Sequence, residues 1–401
     1  MMPNIIDYLD WRGELSFDQV PFNDIDNLIL SQLCYLEMNT IVPSFQETGG
    51  ITFMDAGTKF LSLEKPPLDN IGAVRDEDLL TLLMKVHKSP RFKDMILSGY
   101  INDLDYELHQ QFSATIYTIA PNLHYIAYRG TDSSLLGWRE NFNMSYLSVT
   151  PSQSESLEYI SKAAETLPGN FIVGGHSKGG NLAVYSSIHS PKELRDRIIK
   201  IYNNDGPGFS ESISQKPEFI ELENRLATII PESSVVGLFL EHNNKYTIVK
   251  SAKKNMAQHD IFSWQLIGSR FIEAPGRTRY SQIADIALKQ WLDNLDTDQR
   301  IEFVNTLFTV LEQTGMKNFS DINDNTFEGS VALIKALGTV DEEQRSLLLK
   351  VAGAFLFDSA KAMTSVLSIK KSPRKSRGQK YAIIKTKVPI SMDKMRKNNN
   401  T

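Results

Sequence analysis

Only one cysteine, Cys34, occurs in 401 residues. No intrachain disulfide can form, and the chain reads as one made for a reducing compartment, the cytoplasm. Long apolar runs are also missing: none approaches the ~20 residues that cross a bilayer. The start, "MMPNIIDYLDWRGEL", carries acids early and has no basic stretch leading into an apolar one, so it does not read as a secretory leader. The seven histidines show no H-E-x-x-H spacing and no clustering with acids or Cys34. Neither a metal nor an organic cofactor is therefore expected. The G-x-x-x-x-G-K-[ST] spacing of a phosphate-binding loop is lacking too. What remains is an ordinary composition, 41% hydrophobic and 23% charged, that suits a soluble globular protein. The length fits one large domain with a smaller one.

Charge is unevenly spread. Residues 370–401 hold eleven Lys or Arg and one acid, Asp393, which leaves 32 basic and 47 acidic residues before them, a net charge of −15. The tail "KKSPRKSRGQKYAIIKTK" reads as a solvated, disordered segment. Two alternatives stand beside that reading, a peripheral contact with anionic membrane lipid or nucleic acid and a tail folded back on the acidic body. Nothing in the body interleaves basic and aromatic residues, so no nucleic-acid partner is expected.

From about residue 110 short apolar runs alternate with helical patterns. "FSATIYTI" (112–119) and "LHYIAYRG" (123–130) read as a hairpin across "APN". "SESLEYISKAAETL" (154–167) is spaced as a helix, "FIVGG" (171–175) as a buried strand, and "GNLAVYSSIHS" as the helix after it. "IIKIYNND" (198–205), "SVVGLFL" and "YTIVKSA" read as later strands. Strands alternating with helices imply a mostly parallel sheet covered by helices. The first hundred residues, with mixed helices and a loop rich in Gly and Pro (43–70), read as padding for that sheet. From Tyr280 to about Ala362 the pattern is helical. Asp296 and Gln299 resemble a capping box, Ile301, Val304, Leu307, Phe308 and Leu311 form one stripe, and Gly315 suits a stop. The expected organisation is a sheet domain over residues 1–276, a helical region over 277–368 and a basic tail over 369–401.

One stretch carries chemistry. "NFIVGGHSKGGNLAVYS" (170–186) runs from strand through glycines into helix, and Gly175-His176-Ser177-Lys178-Gly179 fits G-x-S-x-G. That pattern exposes a serine on a turn too tight for neighbouring side chains. The backbone N–H of Lys178, next after the serine, would meet a developing oxyanion. A second donor is expected from "YIAYRGTDSSLLGWRENFN", where Gly130 allows a turn and Thr131 presents its N–H.

"AYRGTDSSLLGW" resembles the F-R-G-T/S-x-S-x-x-x-W segment of class 3 lipases, which implies Thr131 as the second oxyanion donor. More closely, the chain resembles the Mbeg1-like family of lipase-related α/β-hydrolases. The matching segments are "NIIDYLDWRGELSF", "PFNDIDNLILSQLCYL", "YRGTDSSLLGWRENFNMSY", "GGHSKGGNLAVYSS", "YNNDGPGF" and "QHDIFSW", which span residues 4 to about 264. "GHSKGGNLAVY" and "DGPGF" are the specific pieces. The implied fold is α/β-hydrolase-like with a helical C-terminal appendage.

A nucleophilic serine needs a base and an acid, in the chain order Ser, Asp or Glu, His. Downstream lie His189, in the helix leaving the serine, His242, in the polar turn "EHNNKY", and His259, after the last predicted strand. His259 is the preferred base. His176 belongs to the elbow, His124 precedes it, and Asp260 is too close in sequence to orient the His259 ring. For the acid, the class 3 resemblance points to "IIPESSVVG", which has Ser233 and Ser234 where Asp is expected and Glu232 beside them. Asp205, at the carboxyl end of "KIYNND", is the other candidate and the favoured one. The expectation is a serine hydrolase cleaving an ester or thioester of an acyl, lipid-like small molecule. The alternative is an inactive hydrolase fold used for binding or scaffolding.

Overall fold

A computed structural model of the protein describes residues 2–68, 76–132, 134–240, 245–313 and Glu342. Eight strands form one sheet in chain order: β1 (Ile51–Thr52), β2 (Ile96–Asp105), β3 (Gln110–Ala120), β4 (Leu123–Tyr128), β5 (Asn170–His176), β6 (Ile198–Asn204), β7 (Leu226–Pro231) and β8 (Tyr246–Val249). The first four pair antiparallel, and β4 through β8 run parallel. The central strands β4 and β5 are apolar on both faces. In β4, Ile126 and Tyr128 enter one core while Tyr125 and Ala127 enter the other; in β5, Phe171 and Val173 oppose Ile172. Both faces therefore have to be covered.

Topology decides what covers each. Crossovers between parallel strands are right-handed, and strands added in one direction put every crossover on the same face. That face carries α6 (Pro151–Thr166), α7 (Lys178–His189), α8 (Lys192–Arg197), α9 (Glu211–Ser214) and α10 (Pro217–Leu222). The opposite face is left to the N-terminal segment. Helices α1 (Ile5–Arg12), α2 (Asp24–Leu33), α3 (Phe53–Leu61) and α4 (Asp76–Val86) lie there. Asn4 and Asn23 start α1 and α2 with capping boxes completed by Asp7 and Asp26.

A third core joins α5 (Leu135–Asn143) to α11 (Arg279–Asn294) and α12 (Thr297–Gln313). Asp296 and Gln299 cap α12 reciprocally, each side chain accepting from the other's backbone N–H at 2.9 and 3.0 Å. Val304, Leu307, Phe308 and Leu311 are buried in this core. The rest of the helical stretch expected to about residue 362, the stop at Gly315 and the basic tail lie outside the described residues. No helix among the described residues is long and apolar enough to cross a membrane.

Three expectations need correction. "SVVGLFL" is not a strand; Val236–Leu238 form a 3-10 turn, and the strand in this region is β7, "LATIIP". The apolar run reflects burial of Val235 and Phe239 against α11 and α12, not strand pairing. Residues 43–70 are also more than loop, since they contain α3, whose buried Phe53, Ala56 and Phe60 follow helical spacing. Finally, the segment read as padding also begins β2 at Ile96, a strand paired antiparallel with β1 and β3 in which three of ten residues are buried.

Candidate active site

Ser177 stands between β5 and α7 with φ 57° and ψ −132°, a backbone conformation that costs a non-glycine residue about 1–3 kcal/mol. The turn is possible because nothing projects from the glycines around it. A Cβ on Gly175 would fall 2.4 Å from the Gly179 carbonyl carbon, and one on Gly179 would fall 2.0 Å from the Tyr128 oxygen. The Ser177 N–H donates to the Asn204 carbonyl at 2.9 Å, which ties the elbow to the end of β6. Asn204 is itself fixed from below, since its side-chain amide donates to the Gly175 carbonyl at 3.0 Å and meets Asn27 and Ser31 of α2.

Asp205 comes next in the chain, fully buried, with φ 50°. Its Oδ2 lies 2.7 Å from Nδ1 of His259, and its Oδ1 accepts from the Ser234 hydroxyl at 2.5 Å. Ser234 therefore sits where the lipase resemblance places an acid, and it supports Asp205 instead. Gly237 makes room for this approach, because a Cβ there would meet Oδ1 at 2.4 Å. Glu232 is half-buried, and its carbonyl accepts from Thr278 N–H at 2.7 Å. Of the two carboxylates, only Asp205 is brought to the His259 ring.

His259 ends a 3-10 segment, Asn255–His259, and is largely buried. Its carbonyl lies 2.9 Å from Nε2 of His176, and the two rings are 4.5 Å apart. His176 immediately precedes Ser177, so serine, histidine and aspartate gather at one end of the sheet. Burial, reinforced by the neighbouring His259, holds the His176 pKa well below the ordinary histidine value. The other histidines serve elsewhere. His189 contacts the Tyr185 carbonyl at 3.0 Å and Lys216 at 3.1 Å. His124 lies between Thr118 and the Pro168 carbonyl. His242 lies outside the described residues. Asp260 pairs with Lys253 and caps Phe262 N–H, away from the His259 ring.

The loop after β4 lies across the elbow. A Cβ on Gly130 would fall 3.0 Å from the Ser177 Cβ and 2.1 Å from the Tyr35 hydroxyl. Thr131 follows, its hydroxyl held by the Asn141 side chain at 2.8 Å. The N–H of Lys178 is the first of α7 and so has no acceptor within the helix. The Lys178 side chain was not anticipated. It is fully buried, and its Nζ lies 2.7 Å from Glu140 Oε2 and 2.5 Å from the Gln111 carbonyl. Glu140 also accepts from Ser152 N–H and hydroxyl and from Gln111 N–H. Charged residues in an otherwise buried helix start and in α5 were the available signals for this pair. Cys34 is buried as well, and burial pushes its thiol up to about 12, which leaves it unreactive at neutral pH. Among the described residues no cluster of His, Cys, Asp and Glu could hold a metal ion.

Among solved structures, the lipase M37 is 17% identical, with 53% of this chain covering 67% of that one at a TM-score of 0.29. The lipase of Rhizomucor miehei is 11% identical, with 57% of this chain covering 70% of that one at a TM-score of 0.34. No curated protein matches the sequence. The Mbeg1-like family model matches residues 86–309, from the end of α4 through Ser177, Asp205 and His259 and into α12. The chain, an α/β-hydrolase-like sheet with its elbow at Ser177, belongs to the Mbeg1-like family.

Proposed function

We propose that the protein is a serine hydrolase that cleaves an ester or thioester through Ser177, His259 and Asp205. The observation that carries this reading is the 2.7 Å contact between Asp205 and His259 Nδ1 at the end of the sheet where Ser177 turns. With Nδ1 held by the carboxylate, the other ring nitrogen, Nε2, is the one free to take a proton from Ser177 as its oxygen attacks an acyl carbon. The tetrahedral oxyanion would rest on the N–H groups of Thr131 and Lys178. His259 then protonates the departing alcohol or thiol, and water reverses the sequence to release the acid. Ser234 holds the second oxygen of Asp205, which keeps the carboxylate plane aligned with the imidazole.

The test is hydrolysis of p-nitrophenyl esters. Ser177→Ala and His259→Ala are expected to abolish turnover. Asp205→Ala should lower kcat by about 10⁴, the order seen when a triad acid is replaced, whereas Glu232→Ala should leave it near wild type. Equal loss in the two carboxylate variants would contradict the assignment. A folded wild-type protein that hydrolyses none of the esters would favour the alternative, a hydrolase fold used for binding.

A further inference from the structure

A cleft of about 550 Å³ opens between the sheet domain and the helical segment, and nothing in the proposed chemistry uses it. Its apolar lining includes Met144, Leu147, Phe209, Leu238, Leu288 and Leu292. Of its four charged residues, Glu211, Lys289, Asp293 and Arg300, three have partners within the protein, Glu211 accepting from the Gln215 amide at 2.7 Å. Arg300 donates to the carbonyls of Ser145 at 2.8 Å, Leu292 at 2.5 Å and Leu295 at 3.1 Å. Lys289 pairs with Asp285 at 3.1 Å. The cleft thus offers hydrocarbon contact beside polar groups, with its two cations committed to the protein itself.

Its position follows from three chain segments. A narrow apolar notch lies beside Asn141, the residue that holds Thr131, and is lined by Phe142, Pro207, Val236 and Phe239. Each segment that supplies the notch supplies the cleft one or two residues on: Phe142 and then Met144, Pro207 and then Phe209, Phe239 flanked by Leu238 and Leu240. The same segments carry the site, since Asp205 precedes Pro207 by two residues and Ser234 precedes Val236 by two. The remaining wall is α11 and α12.

From this arrangement we infer that the cleft is the acyl-chain site, and that α11 and α12 set the chain length the enzyme accepts. The substrate class is then a single-chain, medium- to long-chain fatty acyl ester or thioester, with the carbonyl at Ser177 and the alkyl chain running past Phe142 and Pro207 into the cleft. A volume in the 300–1,000 Å³ range of ordinary ligand pockets accommodates such a chain. The inference rests on the hydrolase reading but makes a separate claim.

The experiment compares p-nitrophenyl acetate, butyrate, octanoate and palmitate on the full-length wild type and on Leu147→Trp and Leu292→Trp, with melting temperature as a folding control. For the wild type, kcat/KM is expected to rise about fourfold for each methylene that reaches the cleft, the equivalent of one buried CH₂. Either tryptophan should reduce kcat/KM for octanoate and palmitate at least tenfold while leaving acetate within twofold. Ser177-dependent acetate hydrolysis without a chain-length preference, or with a preference that both tryptophans leave intact, would overturn the inference while the hydrolase reading stood. A folded wild type that hydrolyses none of the four esters would instead remove the hydrolase reading, and this inference with it.

Discussion

Lys178 illustrates how one residue can serve a site through both of its ends. Its N–H begins α7 beside Ser177, and its ammonium is buried against Glu140. Taking both charges out of water costs several kcal/mol per ion, so the pair stabilises little compared with an apolar pair of equal volume. Breaking it is another matter. Lys178→Met leaves Glu140 buried and unpaired and should lower unfolding free energy by about 3–5 kcal/mol, whereas Lys178→Met with Glu140→Leu should recover most of the loss in denaturant titration. A single variant as stable as the double would contradict this account. His176 makes a second residue-scale prediction. Its folded pKa lies below its unfolded one, so the unfolded chain binds the extra proton first as pH falls. Stability is therefore complete above the ordinary histidine pKa of about 6.5 and declines below it, by up to about 1.4 kcal/mol per pH unit for this group. His176→Asn should flatten the fall in melting temperature between pH 7 and pH 5; an unchanged slope would remove His176 as its source. The elbow itself was legible in the sequence, because Gly175, Ser177 and Gly179 fall within five consecutive residues between a strand and a helix. The Glu140 partner was not, since 38 residues separate it from Lys178 and only folding brings them together.

At the scale of elements, α5 and α11 do more than fill space. Consecutive residues of α5, Glu140 and Asn141, hold Lys178 and Thr131, the two proposed oxyanion donors, so a small rotation of α5 would move both. The start of α11 braces the acid from the other side: Ser281 donates to the Ser234 carbonyl at 2.7 Å, and Thr278 N–H to that of Glu232. Removing residues 277–401 would return Phe142, Val235 and Phe239 to water at roughly 1.5–3 kcal/mol for each large side chain. The truncated protein is expected to unfold at a clearly lower denaturant midpoint and to bind a hydrophobic dye. A midpoint equal to that of the whole chain would show that the third core contributes nothing to the sheet domain. Helical periodicity made α12 and its Asp296 cap readable. The same logic failed at "SVVGLFL", where an apolar run serves the interface with α11 and α12 and mimics a strand.

For the whole molecule, the decisive feature is strand order. A sheet that grows in one direction from β4 to β8 places its crossovers on one face, and α1 to α4 complete the other. The alternation of strand and helix announced the parallel half. That the N-terminal segment would begin β2 was less visible, because only three of that strand's ten residues are buried and it lacks the continuous apolar run of a fully buried strand. This architecture brings the carboxyl ends of β5 and β6 together, where ligands and catalytic groups gather in such sheets. Everything proposed for the chemistry depends on Ser177 being an activated nucleophile there. The direct measurement is covalent labelling of the folded protein with a fluorophosphonate, followed by peptide mass spectrometry. One adduct is expected, on the peptide containing Ser177, and His259→Ala and Asp205→Ala should both suppress it. A folded protein that gains no adduct, or gains one at another serine, would contradict that expectation.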